Sequence, residues 1–167
     1  IAKSMSLSNR IFSLETEYAL NVYPAAGGTQ QLSNETVANT IIETLKGLYG
    51  EKQTQFLLNG SRLYLDLGHI EWSLPECLGA YEAAVYDKAS DATLRKVLEQ
   101  TEKKLNAGRI LIAKNNVDST GNSYGCHENY LMLLNSDWMR GKEFIQYLMR
   151  VLAPFLVSRQ VLCGSGL

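Results

Sequence analysis

The segment Arg62 to Glu76, RLYLDLGHIEWSLPE, alternates charged and apolar residues with a period of two, the pattern of a strand that has one wet face. Successive side chains of an extended chain point to opposite faces, which predicts Leu63, Leu65 and Leu67 toward a core and Arg62, Tyr64 and Asp66 on the other side. Gly68 predicts a turn, after which His69, Glu71 and Ser73 again share a face. Two short strands would then present Arg, Tyr, Asp, His and Glu on a common surface. Upstream, Asn59-Gly60 follows the apolar run Phe56 to Leu58, a strong hairpin signal. An antiparallel sheet with a solvated face gives the same alternation, so the pattern alone predicts the sheet and leaves the chemistry of the face open.

A second alternating stretch, Arg10 to Tyr23, places Ile11, Ser13, Glu15 and Glu17 on one side and Phe12, Leu14, Thr16 and Tyr18 on the other. Two glutamates sharing a strand face repel unless a cation or basic group lies between them, although a solvated face is the simpler account of the pattern alone. Pro24 to Gly28 reads as a turn or loop. Val37, Ile41, Leu45 and Leu48 recur at helical spacing from Asn34 to Leu48, with Ser33 or Asn34 as cap and Gly50 at the end. Leu78 to Ala107 is a long helical pattern that could split near Ser90-Asp91. Its second half buries Leu94, Val97, Leu98, Thr101 and Leu105 and turns Lys96, Glu99, Glu102 and Lys103 outward, with Gly108 closing it. Arg109 to Ala113 is a short apolar strand. Lys114 onward is dense in Asn, Asp, Ser and Gly, a loop that bonds its own backbone. Alternation then resumes and sets His127 and Asn129 opposite Cys126, Glu128 and Tyr130. Gly141 to Val157 is amphipathic, with Phe144, Ile145, Leu148, Met149 and Leu152 on one stripe, and Pro154 is expected to bend or end it.

At 167 residues the chain can bury a core of its own, and its charge of -1 offers no basic footprint for nucleic acid or anionic membrane. No run approaches a membrane span, and the first residues carry no apolar signal core. These features lead us to expect a cytoplasmic protein without nucleic-acid or membrane partners. Cys77, Cys126 and Cys163 have no CxxC spacing, and only two histidines are present. A metal would therefore be held largely by oxygen ligands, favouring magnesium or manganese over zinc. There is neither a P-loop nor a GxGxxG, so a nucleotide would bind a sheet face through carboxylate-held metal. The opening Ile1 and the closing Gly164-Ser165-Gly166-Leu167 suggest a piece of something longer.

Three segments in order, LETEYAL at Leu14 to Leu20, NGSRLYLDLGHIEWSLPEC at Asn59 to Cys77 and KNNVDSTGNSYGCHENYL at Lys114 to Leu131, resemble the Pup ligase family, as does LAPFLVSRQVLCGSG at Leu152 to Gly166. The resemblance implies an α+β, glutamine-synthetase-like fold: a curved, mainly antiparallel sheet with helices packed on one face. Residues 1 to 167 would be the amino-terminal part of that catalytic domain, completed by its remainder or by a complementary subunit. It also implies an ATP-dependent ligase that joins the C-terminal glutamate side chain of a Pup-like modifier to a lysine of a target protein through an acyl phosphate, with ATP and Mg2+ as cofactors.

By the same resemblance Glu15, Tyr64 and Glu71 fall on magnesium-binding positions, Arg62 on an ATP-binding position and Asp66 on the proton acceptor. The family has one more residue and a proline where this chain reads Gly68-His69-Ile70-Glu71. Leu74 replaces a threonine that contacts ATP, leaving the neighbouring Ser73 as the candidate for that bond. YGCHENYL with Cys126, and the short stretch between Tyr18 and Asn59, match the ligase branch rather than the depupylase and deamidase branch. That branch, a ligase for another modifier or small substrate, and a non-catalytic binding module are the alternatives.

Overall fold

The computed structural model describes residues 11–26, 32–49, 56–131 and 141–163. The chain divides into two units, residues 1–130 and 131–167. In the first, the elements run β1 (Phe12–Tyr23), α1 (Asn34–Tyr49), β2 (Arg62–Asp66), β3 (His69–Ser73), α2 (Ala80–Leu105), β4 (Arg109–Lys114) and β5 (Cys126–Tyr130). Every strand pairing is antiparallel, in the order β2-β3-β1-β4, with β5 also on β1. This is the α+β arrangement that the family resemblance implied. β1 is the hub: residues 15–18 pair with β3, 18–23 with β4 and 12–16 with β5.

One face of this sheet is mostly apolar because one parity of β1 to β4 is mostly apolar. Thr16 and Tyr18 of β1, Leu63 of β2, Ile70 and Trp72 of β3 and Ile110 of β4 are buried there. Val37, Ala38, Ile41 and Leu45 of α1 and Leu94 and Val97 of α2 complete the core. Each fully buried Leu, Ile or Val is worth about 1.5–3 kcal/mol relative to exposure. Leu48, expected on the same stripe, is 41% exposed at the last turn of α1. The Ser33 hydroxyl accepts from the Thr36 N–H at 3.1 Å and so caps α1. On the core side a charged clasp joins α2 to the sheet. Lys114 pairs with Asp87 and Asp91, and Asp91 also accepts from the Tyr18 hydroxyl at 3.5 Å. Burial pushes Tyr18 up to about 12. Burial works against the Lys114 charge, but its bonds to Asp87 and Asp91 hold it at about 12.

The structure corrects several expectations. The long helix is unbroken: the Ser90 hydroxyl donates to the Asp87 carbonyl within α2 and Asp91 meets Lys114, so neither caps a new helix. Glu102 is not purely an outer-face charge, since its Oε1 accepts from the Ile110 N–H at 2.7 Å. Asn106, at φ 50°, ends α2 in place of Gly108. Gly108 is required for another reason, because a Cβ there would overlap the carbonyl oxygen of Pro24. Gly27-Gly28, Gly50 and Gly164 to Leu167 lie outside the described residues.

Leu67 does not face the core. It is 96% exposed in the turn between β2 and β3, at φ 46°, beside Gly68 at φ 94°. Two consecutive positive φ values suit a two-residue hairpin, and Asn-Gly adopts them far more readily than Leu-Gly. Leu67→Asn is therefore expected to stabilise the fold by about 1 kcal/mol, as read from denaturant midpoints.

The second unit holds α3 (Lys142–Cys163), in which Pro154 lies inside the helix rather than at its end. Proline lacks the N–H that would bond back to Arg150, yet helix continues on both sides. Among the described residues no helix is long and apolar enough to cross a membrane.

Candidate functional site

The register of the sheet turns two parities into one surface. Arg62 pairs with Ser73, Ser73 with Glu15 and Glu15 with His127, a row of four polar residues across four strands. In the next row Tyr64 pairs with Glu71 and Glu71 with Glu17. Asp66 and His69 face each other beside the turn, and Ser13 pairs with Asn129 beyond the first row. Directly paired residues share a face. Thus all six candidates, Glu15, Arg62, Tyr64, Asp66, Glu71 and Ser73, lie opposite the core.

The carboxylates are held individually. Glu15 Oε1 accepts from the Ser73 hydroxyl at 2.8 Å and its Oε2 from Asn129 Nδ2 at 3.1 Å. Ser73, the candidate for a nucleotide contact, thus has its hydroxyl on Glu15, 3.4 Å from the Tyr64 hydroxyl. Burial opposes ionisation of Glu15, but the bonds from Asn129 and Ser73 and the nearby His127 outweigh it and keep its carboxyl below the usual range. Glu17 Oε2 accepts from the Gly125 N–H at 3.0 Å and from His69 Nδ1 at 2.8 Å. These bonds likewise overcome burial and lower its carboxyl. Burial raises the Tyr64 hydroxyl, and the charges of Glu71 and Glu15 raise it further against the Ser73 contact. The Arg62 guanidinium lies 4.2 Å from the Tyr64 ring centre, and its buried Nε has no partner.

Glu71 differs from the other two glutamates. It is 1% exposed, and its Oε1 is buried with no hydrogen-bond partner. His127 Nδ1 is 3.3 Å from that oxygen and 3.7 Å from Glu15 Oε2. Burial and the charge of Glu15 raise its carboxyl, with the Tyr64 hydroxyl and His127 in opposition. A buried carboxylate oxygen without a hydrogen bond costs about 1–3 kcal/mol, and the His127 imidazole offsets part of that cost here.

Two groups have ligand atoms within 4.8 Å of one another: Glu15, Glu71 and His127, and Glu17, Asp66 and Glu71. Glu71 belongs to both, so it is the one carboxylate common to the two groups that could hold a metal ion. Carboxylate oxygens with at most one imidazole suit magnesium or manganese. The resemblance gave no role to Glu17, His127, His69 or Asn129. Their parity was visible, but the pairing that sets His127 beside Glu15 and Glu71 beside Glu17 was not.

The family model described as Pup-ligase protein matches residues 10–167. The Pup–protein ligase of Kineococcus radiotolerans is 42% identical over 165 residues, covering 96% of this chain and 34% of its own length. Among solved structures, the complex between the prokaryotic ubiquitin-like protein Pup and its ligase PafA matches with a TM-score of 0.73 and 34% identity, over 95% of this chain and 31% of that one. The chain spans about a third of the length of these relatives. Sheet and helices together form part of the glutamine-synthetase-like α+β fold.

Proposed function

The chain belongs to the Pup-ligase family, and from that premise we propose that it carries the metal-binding and proton-accepting face of an ATP-dependent ligase. The enzyme joins the C-terminal glutamate side chain of a Pup-like modifier to a lysine of a target protein, in the cytoplasm. The observation that carries this reading is the buried Oε1 of Glu71, which makes no hydrogen bond and is set among Glu15, Glu17, Asp66 and His127 on the polar face of the sheet.

In this reading Glu15, Glu71 and His127 would hold one Mg2+, with Tyr64 beside them, and Glu17 and Glu71 would hold a second. Bound metal supplies neutralisation of the triphosphate and of the charge that develops as a phosphoryl group moves. Arg62, whose Nε is unpaired, is the cation of the face suited to a phosphate oxygen. The modifier's carboxylate oxygen bonds to the terminal phosphorus of ATP, the bond to ADP breaks, and an acyl phosphate results. The lysine nitrogen then attacks the acyl carbon and phosphate leaves. That lysine must be neutral, and in this reading Asp66, exposed at the end of β2, takes its proton.

The test uses the protein at its natural full length, with Pup, a lysine-bearing target, ATP and Mg2+. The expected result is an isopeptide-linked product formed with stoichiometric ADP and phosphate, and none without ATP. Release of Pup from a preformed conjugate, with no product in the forward direction, would contradict the ligase reading.

A further inference from the structure

We propose that the loop Asn115 to Gly125 is a positioning device for the metal face, in which Asp118 fixes Tyr124, Tyr124 fixes His69 and His69 fixes the Glu17 carboxylate. This rests on the metal reading above and extends it to residues outside the ligand groups.

The chain of contacts is continuous. Asp118 Oδ1 accepts from the Thr120 N–H at 2.9 Å, the Thr120 hydroxyl at 2.7 Å and the Asn122 N–H at 2.9 Å, and Oδ2 accepts from Asn122 Nδ2 at 2.9 Å. An aspartate so fully bonded to its own loop is a fixed acceptor even at the surface, and those bonds hold its carboxyl far below the usual range. Its Oδ2 also receives the Tyr124 hydroxyl at 3.2 Å. The Tyr124 ring stacks on the His69 imidazole with centres 4.7 Å apart and planes 29° from parallel. His69 Nδ1 in turn meets Glu17 Oε2 at 2.8 Å.

The loop reaches Glu17 by a second route. The Gly125 N–H donates to Glu17 Oε2, and the Glu17 N–H donates to the Gly125 carbonyl, both at 3.0 Å. A Cβ on Gly125 would come within 2.7 Å of His127 Nε2 and 3.1 Å of Glu17 Oε1, so the backbone approaches the face as closely as a glycine allows. Side chains that orient a metal ligand matter nearly as much as the ligand, because a carboxylate free to rotate must be ordered at the moment of binding. Tyr124 and Asp118 belong to neither ligand group, so their effect on the metal passes through His69 and Glu17.

The experiment measures binding of Mn2+ alone to the full-length protein by electron paramagnetic resonance, with thermal melting in parallel. Tyr124→Leu removes the ring and is expected to weaken Mn2+ binding about 10-fold, with little change in the melting temperature of the ion-free protein. Tyr124→Phe keeps the ring but loses the bond to Asp118, and is expected to weaken binding only about threefold, which a purely structural role would not grade in this way. Should Tyr124→Leu fail to fold, Tyr124→Phe together with Asp118→Asn decides the matter. Wild-type affinity in the folded variants overturns the positioning role and leaves the metal reading standing. Absence of Mn2+ binding to the wild type overturns both.

Discussion

Asp66→Asn lowers the single-turnover rate of isopeptide formation by about 10²–10⁴-fold, the range for loss of a general base. Asparagine keeps the shape and most of the hydrogen bonding of aspartate but has no basic oxygen. The structure makes this variant informative in a second way, because Asp66 also stands within 4.8 Å of the ligand oxygens of Glu17 and Glu71. If Asp66 acts only as proton acceptor, Mn2+ and nucleotide affinity in Asp66→Asn stay at the wild-type level while the rate falls. If its main work is to hold an ion, affinity and rate fall together. An unchanged single-turnover rate would remove Asp66 from the chemistry.

Glu71→Gln is expected to produce opposite effects with and without divalent ion. Glu71 is shared by both ligand groups, so its loss should weaken Mn2+ binding by about 100-fold or more, measured by calorimetric titration. In the ion-free protein the same change should raise the melting temperature near neutral pH, because it removes a buried charge that faces Glu15. The sign follows from the direction of the shift. The Glu71 carboxyl is raised in the folded state, so its contribution favours folding only at acid pH and is lost as pH rises through its folded value. Glu15 and Glu17 are lowered, so theirs is present near neutrality and is lost as pH falls through their folded values. The stabilisation of ion-free Glu71→Gln over wild type should therefore be largest near neutral pH and shrink on acidification. A variant less stable than wild type in chelator near neutrality would contradict the account of Glu71 as a charge that burial and Glu15 disfavour more than His127 and Tyr64 support it.

The parity of side chains was legible in the sequence wherever strands are straight. Ser13, Glu15 and Glu17 on one strand and His69, Glu71 and Ser73 on another fall on the wet face as alternation required. The rule failed at Leu67, because parity has no meaning in a two-residue turn where both φ values are positive. Ser90 and Asp91 resemble a helix start, but the Asp87 carbonyl one turn back and a tertiary partner, Lys114, use their side chains inside a continuous helix. Pro154 likewise marks a missing N–H rather than a helix end.

What could not be read was adjacency. Nothing local to Glu15 reveals that His127 pairs with it, or that Gly125 donates to Glu17. The resemblance picked out Glu15, Tyr64 and Glu71 but not Glu17, which the sheet register sets directly across from Glu71. Asp118 was legible only as a loop residue, since its link to the metal face runs through the stacked rings of Tyr124 and His69.

The central claim is that this polar sheet face holds divalent ions around Glu71. Anomalous diffraction from crystals of the full-length protein soaked in Mn2+ and a non-hydrolysable ATP analogue tests it most directly. The account predicts one or two manganese peaks bounded by Glu15, Glu17, Glu71 and His127, with Glu71 contributing an oxygen at about 2.0–2.2 Å. Manganese bound elsewhere with this face empty, while the analogue is fully occupied, would contradict it.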